Sequence, residues 1–166
     1  MKKIEHLLET FMFNSRWLLA PFYLGLILTI ALLLVKFTKG FVDLAYLLFS
    51  GTGNEVIVSI LSLIDVVLIA NLLLIIIFAG YENFVSKINT GDHEDRPEWM
   101  GHVTFSDLKI KVIGSIVAIS TIELLKAFLN VDQFTTEQLG WKVGIHLTFV
   151  VSGVLFALMD RLGKSK

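Results

Sequence analysis

The 166-residue sequence predicts an all-α integral membrane protein: four transmembrane helices preceded by an amphipathic interfacial helix. Three observations predict it. Hydrophobic residues make up 55% of the chain, above the roughly 45–50% usual in soluble domains, and the mean hydropathy is +0.75. Several apolar runs reach the ~20 residues that cross a bilayer as a helix. Only two prolines occur, Pro21 and Pro97, so long helices meet few breaks. The chain forms one membrane domain, residues 1–166, too short for two domains of ordinary size.

Ile4, Leu7, Leu8, Phe11 and Met12 recur at helical spacing, with Glu5, His6, Glu9 and Asn14 on other faces. Residues 4–16 are expected to lie in the headgroup layer, with Arg16 and Trp17 as interface anchors. The first span is Trp17–Val35, free of charge and closed by Lys36, with Pro21 in its first turns, where a missing N–H costs little. The charged residues before it and the Lys36–Lys39 stretch after it favour an uncleaved anchor over a secretory signal. Phe41–Phe49 is either interfacial or an extension of helix 1, and Ser50–Asn54 is a turn by composition.

The second span is Val56–Ala79, ending at the signature Gly80-Tyr81-Glu82-Asn83-Phe84. Residues 80–111 form a polar connection, with Ser106-Asp107 as a helix start. The third span is Val112–Leu129 and the fourth Trp141–Met159, ending in Asp160-Arg161 and a basic tail. Orientation follows from Lys and Arg. Lys2, Lys3, Arg16, Lys87, Arg96, Lys109, Lys111, Arg161, Lys164 and Lys166 fall on one side, against Lys36, Lys39 and Lys142 on the other, with Lys126 inside the third span. The excess places both termini and the long connection in the cytoplasm.

Intramembrane polar groups are the functional candidates, because an ionisable side chain at the centre of a span is costly. Counting ~1.5 Å per residue, Asp65 lies roughly 14 Å from the outer edge and Glu123 roughly 16 Å from the inner edge, so both reach the midplane. Lys126 and His146 come at roughly 9 and 8 Å from the outer edge, forming a second layer. Ser120, Glu123, Lys126 and Asn130 share one face of helix 3, and Asn71 adds an amide to helix 2. A protein-lined interior around these groups suits ion conduction or ion-linked transport. The competing reading is structural: Glu123 and Lys126 neutralise each other and snorkel, while Asp65 joins helices.

Gly140, Gly144, Thr148 and Ser152 recur every four residues on helix 4, a pattern that lets backbones approach closely within one subunit or between subunits. Four helices enclose little volume, so a path would need a homo-oligomer. Besides lipids and further copies, an unidentified protein partner could dock at Gly80–Arg96, which would make the chain a non-conducting scaffold or accessory subunit.

Enzymatic chemistry has little support. No Cys is present, which excludes disulfides and thiolate sites. Asp92, His93, Glu94 and Asp95 include metal-ligand types, but their spacing specifies no site, and a solvated acidic loop is the simpler reading. No phosphate-binding glycine pattern or nucleophile elbow occurs. No catalytic residue, metal or cofactor is therefore expected. The net charge of −1 gives no footprint for nucleic acid.

Five segments, in order, carry a family likeness: Ser15–Pro21, Ser62–Asp65, Gly80–Ser86, Ser115–Ser120 and Ile145–Phe149. Together they resemble the bacterial YqhA family of inner-membrane proteins, along nearly the whole chain. The resemblance implies location and span count, with Arg16, Asp65, Glu82, Asn83 and His146 as recurring positions. It supplies no established activity. The family often places His where this chain has Glu123, so a carboxylate pair would not be its shared mechanism.

Overall fold

The computed structural model describes residues 2–86 and 105–164. The elements are α1 (Lys2–Ser15), a 3-10 turn (Arg16–Leu19), α2 (Ala20–Ser50), α3 (Gly53–Phe84), α4 (Phe105–Leu129), a second 3-10 turn (Val131–Gln133) and α5 (Thr136–Lys164). No strand occurs among the described residues. The acidic stretch Asp92–Pro97 and the rest of residues 87–104 lie outside the described residues, as do the side chains of Ser106 and Asp107.

Four helical stretches are long and apolar enough to cross a membrane: His6–Ser50, Gly53–Phe84, Leu108–Leu129 and Thr136–Gly163. Sequence neighbours are spatial neighbours: α2 packs on α3, α3 on α4, and α4 on α5. Among the described residues α5 has no comparable contact with α2 or α3, so the array is open, not a closed bundle. Its core is thin. Val66, Ile77, Ala79, Val85, Leu108 and Ala127 are buried, while most large apolar side chains are exposed.

The helix that holds the first apolar run is longer than the run itself. α2 does not stop near Val35 but runs to Ser50, which settles Phe41–Phe49 as helix. The partly buried positions of α2 explain why: Tyr23, Leu26, Ile30, Leu33, Phe37, Gly40, Leu44 and Leu47 alternate at spacings of three and four. That is the seam of a left-handed helix pair, and it continues past the charges. Lys36 and Lys39 are exposed, off the seam, so they end an apolar run without ending the helix.

α3 likewise extends beyond its expected end. Gly80 is buried inside the helix, which continues to Phe84, so the Gly80–Phe84 signature is helical and does not open the connection. The hairpin between α2 and α3 is closed by a capping box. The Thr52 N–H donates to Glu55 Oε2 (2.8 Å), and the Glu55 N–H donates to Thr52 Oγ1 (3.4 Å). Thr135 and Gln138 repeat the device at the start of α5, at 3.0 and 3.2 Å. Each box satisfies backbone donors that a helix start otherwise leaves open. Thr52→Ala is expected to cost about 1 kcal/mol, measurable as a lower unfolding temperature in detergent, with Thr52→Ser close to wild type.

The helices end at different heights. Lys126, near the end of α4, meets Asp65, which is well inside α3. The tip of the α2–α3 hairpin therefore projects roughly 14 Å past the end of α4. It carries exposed Tyr46, Leu48 and Phe49, the last 94% exposed.

Candidate functional site

The polar residues of the helix array assemble into two clusters. The first bridges α3 and α4. Lys126 Nζ lies 3.6 Å from Asp65 Oδ2 and also pairs with Glu123 Oε1, one turn away on its own helix. The side chains of Lys126 and Asp65 are only 15% and 16% exposed, whereas that of Glu123 is half exposed. The second carboxylate oxygen of Asp65, Oδ1, is buried without a hydrogen-bond partner. Two carboxylates against one ammonium leave one negative charge in surplus when all three are ionised, and the orphaned oxygen is where a further donor or cation would bind.

The second cluster joins α4 to α5. Ser120 Oγ donates to the Val117 carbonyl at 2.9 Å and lies 2.9 Å from His146 Nδ1. With the hydroxyl proton on the Val117 carbonyl, Nδ1–H is the donor to Ser120 Oγ, the tautomer in which both contacts are hydrogen bonds. In a neutral imidazole, Nε2 is then an acceptor. His146, Ser120 and Glu123 line a cavity of about 340 Å³ between the two helices, together with Ile116, Ile119, Leu124, Lys142, Ile145 and Phe149.

This geometry regroups the layers expected from counting. Asp65 meets Lys126, with Glu123 held through that lysine, and His146 meets Ser120. The count assumed that each apolar run begins at the membrane edge. The α2–α3 hairpin overshoots α4, which shifts Asp65 toward the level of the end of α4. Asn71 is exposed on α3, away from both clusters. Asn130 turns back to its own helix, donating to the Lys126 carbonyl at 3.0 Å.

On α5, Gly140, Gly144 and Thr148 are exposed, and nothing lies within 4 Å of a Cβ placed at either glycine. The close approach to α4 is made instead at Gly153, beside Ile113. Ser152, next to it, is partly buried. The small-residue stripe was read without reference to the α5 seam, which runs through Leu139, Lys142, His146, Val150 and Gly153.

At the other end of the array, the Tyr23 ring packs over Gly80, where a Cβ would meet its hydroxyl oxygen at 2.7 Å. Tyr81 meets Tyr23 edge to face, with centroids 6.0 Å apart. The Arg16 guanidinium stacks 3.9 Å from the Phe13 ring centre, and its Nε is buried without a hydrogen-bond partner. Trp17 is half exposed. Asn83 Nδ2 donates to the Ala79 carbonyl at 2.6 Å, and both Glu82 and Phe84 have partners. Two features escaped the sequence reading although their signals are present: the capping boxes, written as Thr52-x-x-Glu55 and Thr135-x-x-Gln138, and the role of Gly80 as a seat for an aromatic ring. Among the described residues no three or more His, Asp or Glu side chains group as a metal site.

Comparison with known proteins places these features in a family. The sequence matches the family described as "Uncharacterized protein family, UPF0114" over residues 12–128. UPF0114 proteins of Haemophilus influenzae strains PittEE and KW20 Rd are each 41% identical over 158 residues, covering 95% of this chain and 86% of theirs. No solved structure matches the chain. The match runs from the end of α1 to the end of α4 and takes in both Asp65 and Lys126, and on that evidence the chain belongs to the UPF0114 family, which is the YqhA family.

Proposed function

We propose that this chain is a multi-pass protein of the bacterial cytoplasmic membrane, with both termini cytoplasmic, whose Asp65–Lys126–Glu123 cluster binds a proton or small cation on an ion-conduction or ion-linked transport path. The observation that carries this reading is the buried, unpartnered Oδ1 of Asp65 beside an ion cluster with one carboxylate in surplus. Uncompensated charge is expensive away from water, so the cluster has a standing affinity for one more positive group. The section in which all four helices overlap runs from about Leu108 to Leu129 on α4, roughly 32 Å by helical rise, close to the ~30 Å of a hydrocarbon core. The apolar, exposed Ile4, Leu7, Leu8, Phe11 and Met12 of α1 suit a helix lying on the bilayer surface.

One copy is an open array and encloses no path, so the function needs further copies. The exposed Gly140–Gly144–Thr148 stripe on α5 is a surface on which a second copy can pack closely. The test is ion flux into liposomes holding wild type or Asp65→Asn, across a pH series, with oligomeric state measured for both. Flux in wild type that vanishes in an equally assembled Asp65→Asn variant is the expected result. No flux from well-assembled wild type would overturn conduction and favour a non-conducting scaffold or accessory subunit.

A further inference from the structure

We infer that the slot between α4 and α5 binds a lipophilic hydroquinone, whose phenolic hydroxyls donate to His146 Nε2 and Glu123. The inference rests on the membrane reading above. The slot is about 340 Å³ and its walls are mostly apolar: Ile116, Ile119, Leu124, Ile145 and Phe149. That is the low end of the volume range of small-molecule sites, room for one substituted ring.

The polar groups left over in the slot select the ligand. His146 Nδ1 is committed to Ser120, whose own proton goes to the Val117 carbonyl. The imidazole therefore offers Nε2 as an acceptor. Glu123 gives one oxygen, Oε1, to Lys126, and its other oxygen is again an acceptor. Lys142 also lines the slot, but its ammonium lies over the Phe134 ring, so the two acceptors are left for a ligand that brings donors. Depth narrows the class further. Glu123 and Lys142 each sit about 9 Å along the helix axis from the end joined to the Val131–Gln133 turn, and Ser120 and His146 about 14 Å.

A phospholipid keeps its polar head at the membrane surface, above that level. Lys142 marks the surface itself, since its ammonium reaches back to the Phe134 ring, 5.1 Å from the ring centre. A ring with hydroxyl groups and an apolar tail meets both conditions: it enters from the lipid, fills an apolar slot and donates to the part-buried His146 and the half-exposed Glu123. The oxidised quinone carries only carbonyl acceptors, which would face His146 Nε2 and Glu123 without a proton between them. The slot therefore discriminates by oxidation state.

The experiment is an anaerobic calorimetric titration of the detergent-purified protein with decylubiquinol and, separately, decylubiquinone. The quinol is expected to bind at least about tenfold more tightly, the equivalent of one hydrogen bond to a strong acceptor. His146→Phe should remove that preference. Ser120→Ala frees the imidazole to present Nε2–H and should narrow it. Ile145→Trp, which fills the slot, should abolish binding of both forms while helicity is retained.

Quinone bound as tightly as quinol, or quinol affinity unchanged in both His146→Phe and Ile145→Trp, would overturn the assignment. So would absence of quinol binding from a slot holding a co-purified phospholipid that Lys142→Gln releases. Asp65 lies outside the slot, so Asp65→Asn should keep the quinol affinity whether or not it loses flux. The two proposals can therefore fail separately.

Discussion

Lys126→Met is expected to destabilise the helix array by about 3–5 kcal/mol, the usual penalty for removing one partner of a buried ion cluster. Met keeps the length and the apolar stem of the lysine, so the loss is of charge and not of packing. The substitution leaves Asp65, a mostly buried carboxylate with one oxygen already orphaned, facing Glu123 across the vacated position. Adding Asp65→Asn and Glu123→Gln should recover most of the loss, because three neutral groups no longer repel or demand solvation. Unfolding in detergent by denaturant titration checks both statements. If Lys126→Met were as stable as wild type, the cluster would be a solvated surface feature and the proposed ion site would lose its basis.

Gly80→Ala should cost about 1–3 kcal/mol, as expected for overpacking a close contact. In an ordinary helix interior this change is stabilising, since alanine loses less backbone entropy than glycine. The sign reverses here because the new methyl would sit 2.7–3.1 Å from three atoms of the Tyr23 ring end. Tyr23→Leu in the same chain should return part of the loss by removing those atoms. Thermal unfolding of the single and double variants gives the coupling directly. A stabilised Gly80→Ala variant would show that Tyr23 can swing away at little cost.

Helical class and the four helices long and apolar enough to cross a membrane were legible because each apolar run exceeds what a soluble core requires, and twenty or so apolar residues have few other uses. Boundaries were not, for a physical reason visible in α2. Hydropathy records where charge begins, but a helix stops only when its backbone bonds or its packing seam stop. Leu44 and Leu47 prolong the seam beyond Lys36 and Lys39. The same limit displaced the site. Asp65, Glu123, Lys126 and Ser120 were all recognisable as misplaced polar groups, yet their pairing depends on how far α3 slides along α4, which no single helix encodes. His146 was assigned to the layer of Lys126 and belongs with Ser120, nearly two helix turns (about 9 Å) away from that expectation. Asn71 was grouped with these residues as a polar side chain within the second apolar run and is exposed.

The projecting α2–α3 hairpin gives the molecule two hydrophobic heights. Placed in a bilayer, α4 and α5 ask for an ordinary thickness, while the α2–α3 edge, with Tyr46, Leu48 and Phe49 near its tip, asks for a thicker one. Lipid around a single copy would have to stretch on one flank and relax on the other, at fractions of a kcal/mol for each Å of disagreement. Copies that bring their tall flanks together share that deformation, and thicker patches of membrane would gather them without any specific contact between their side chains.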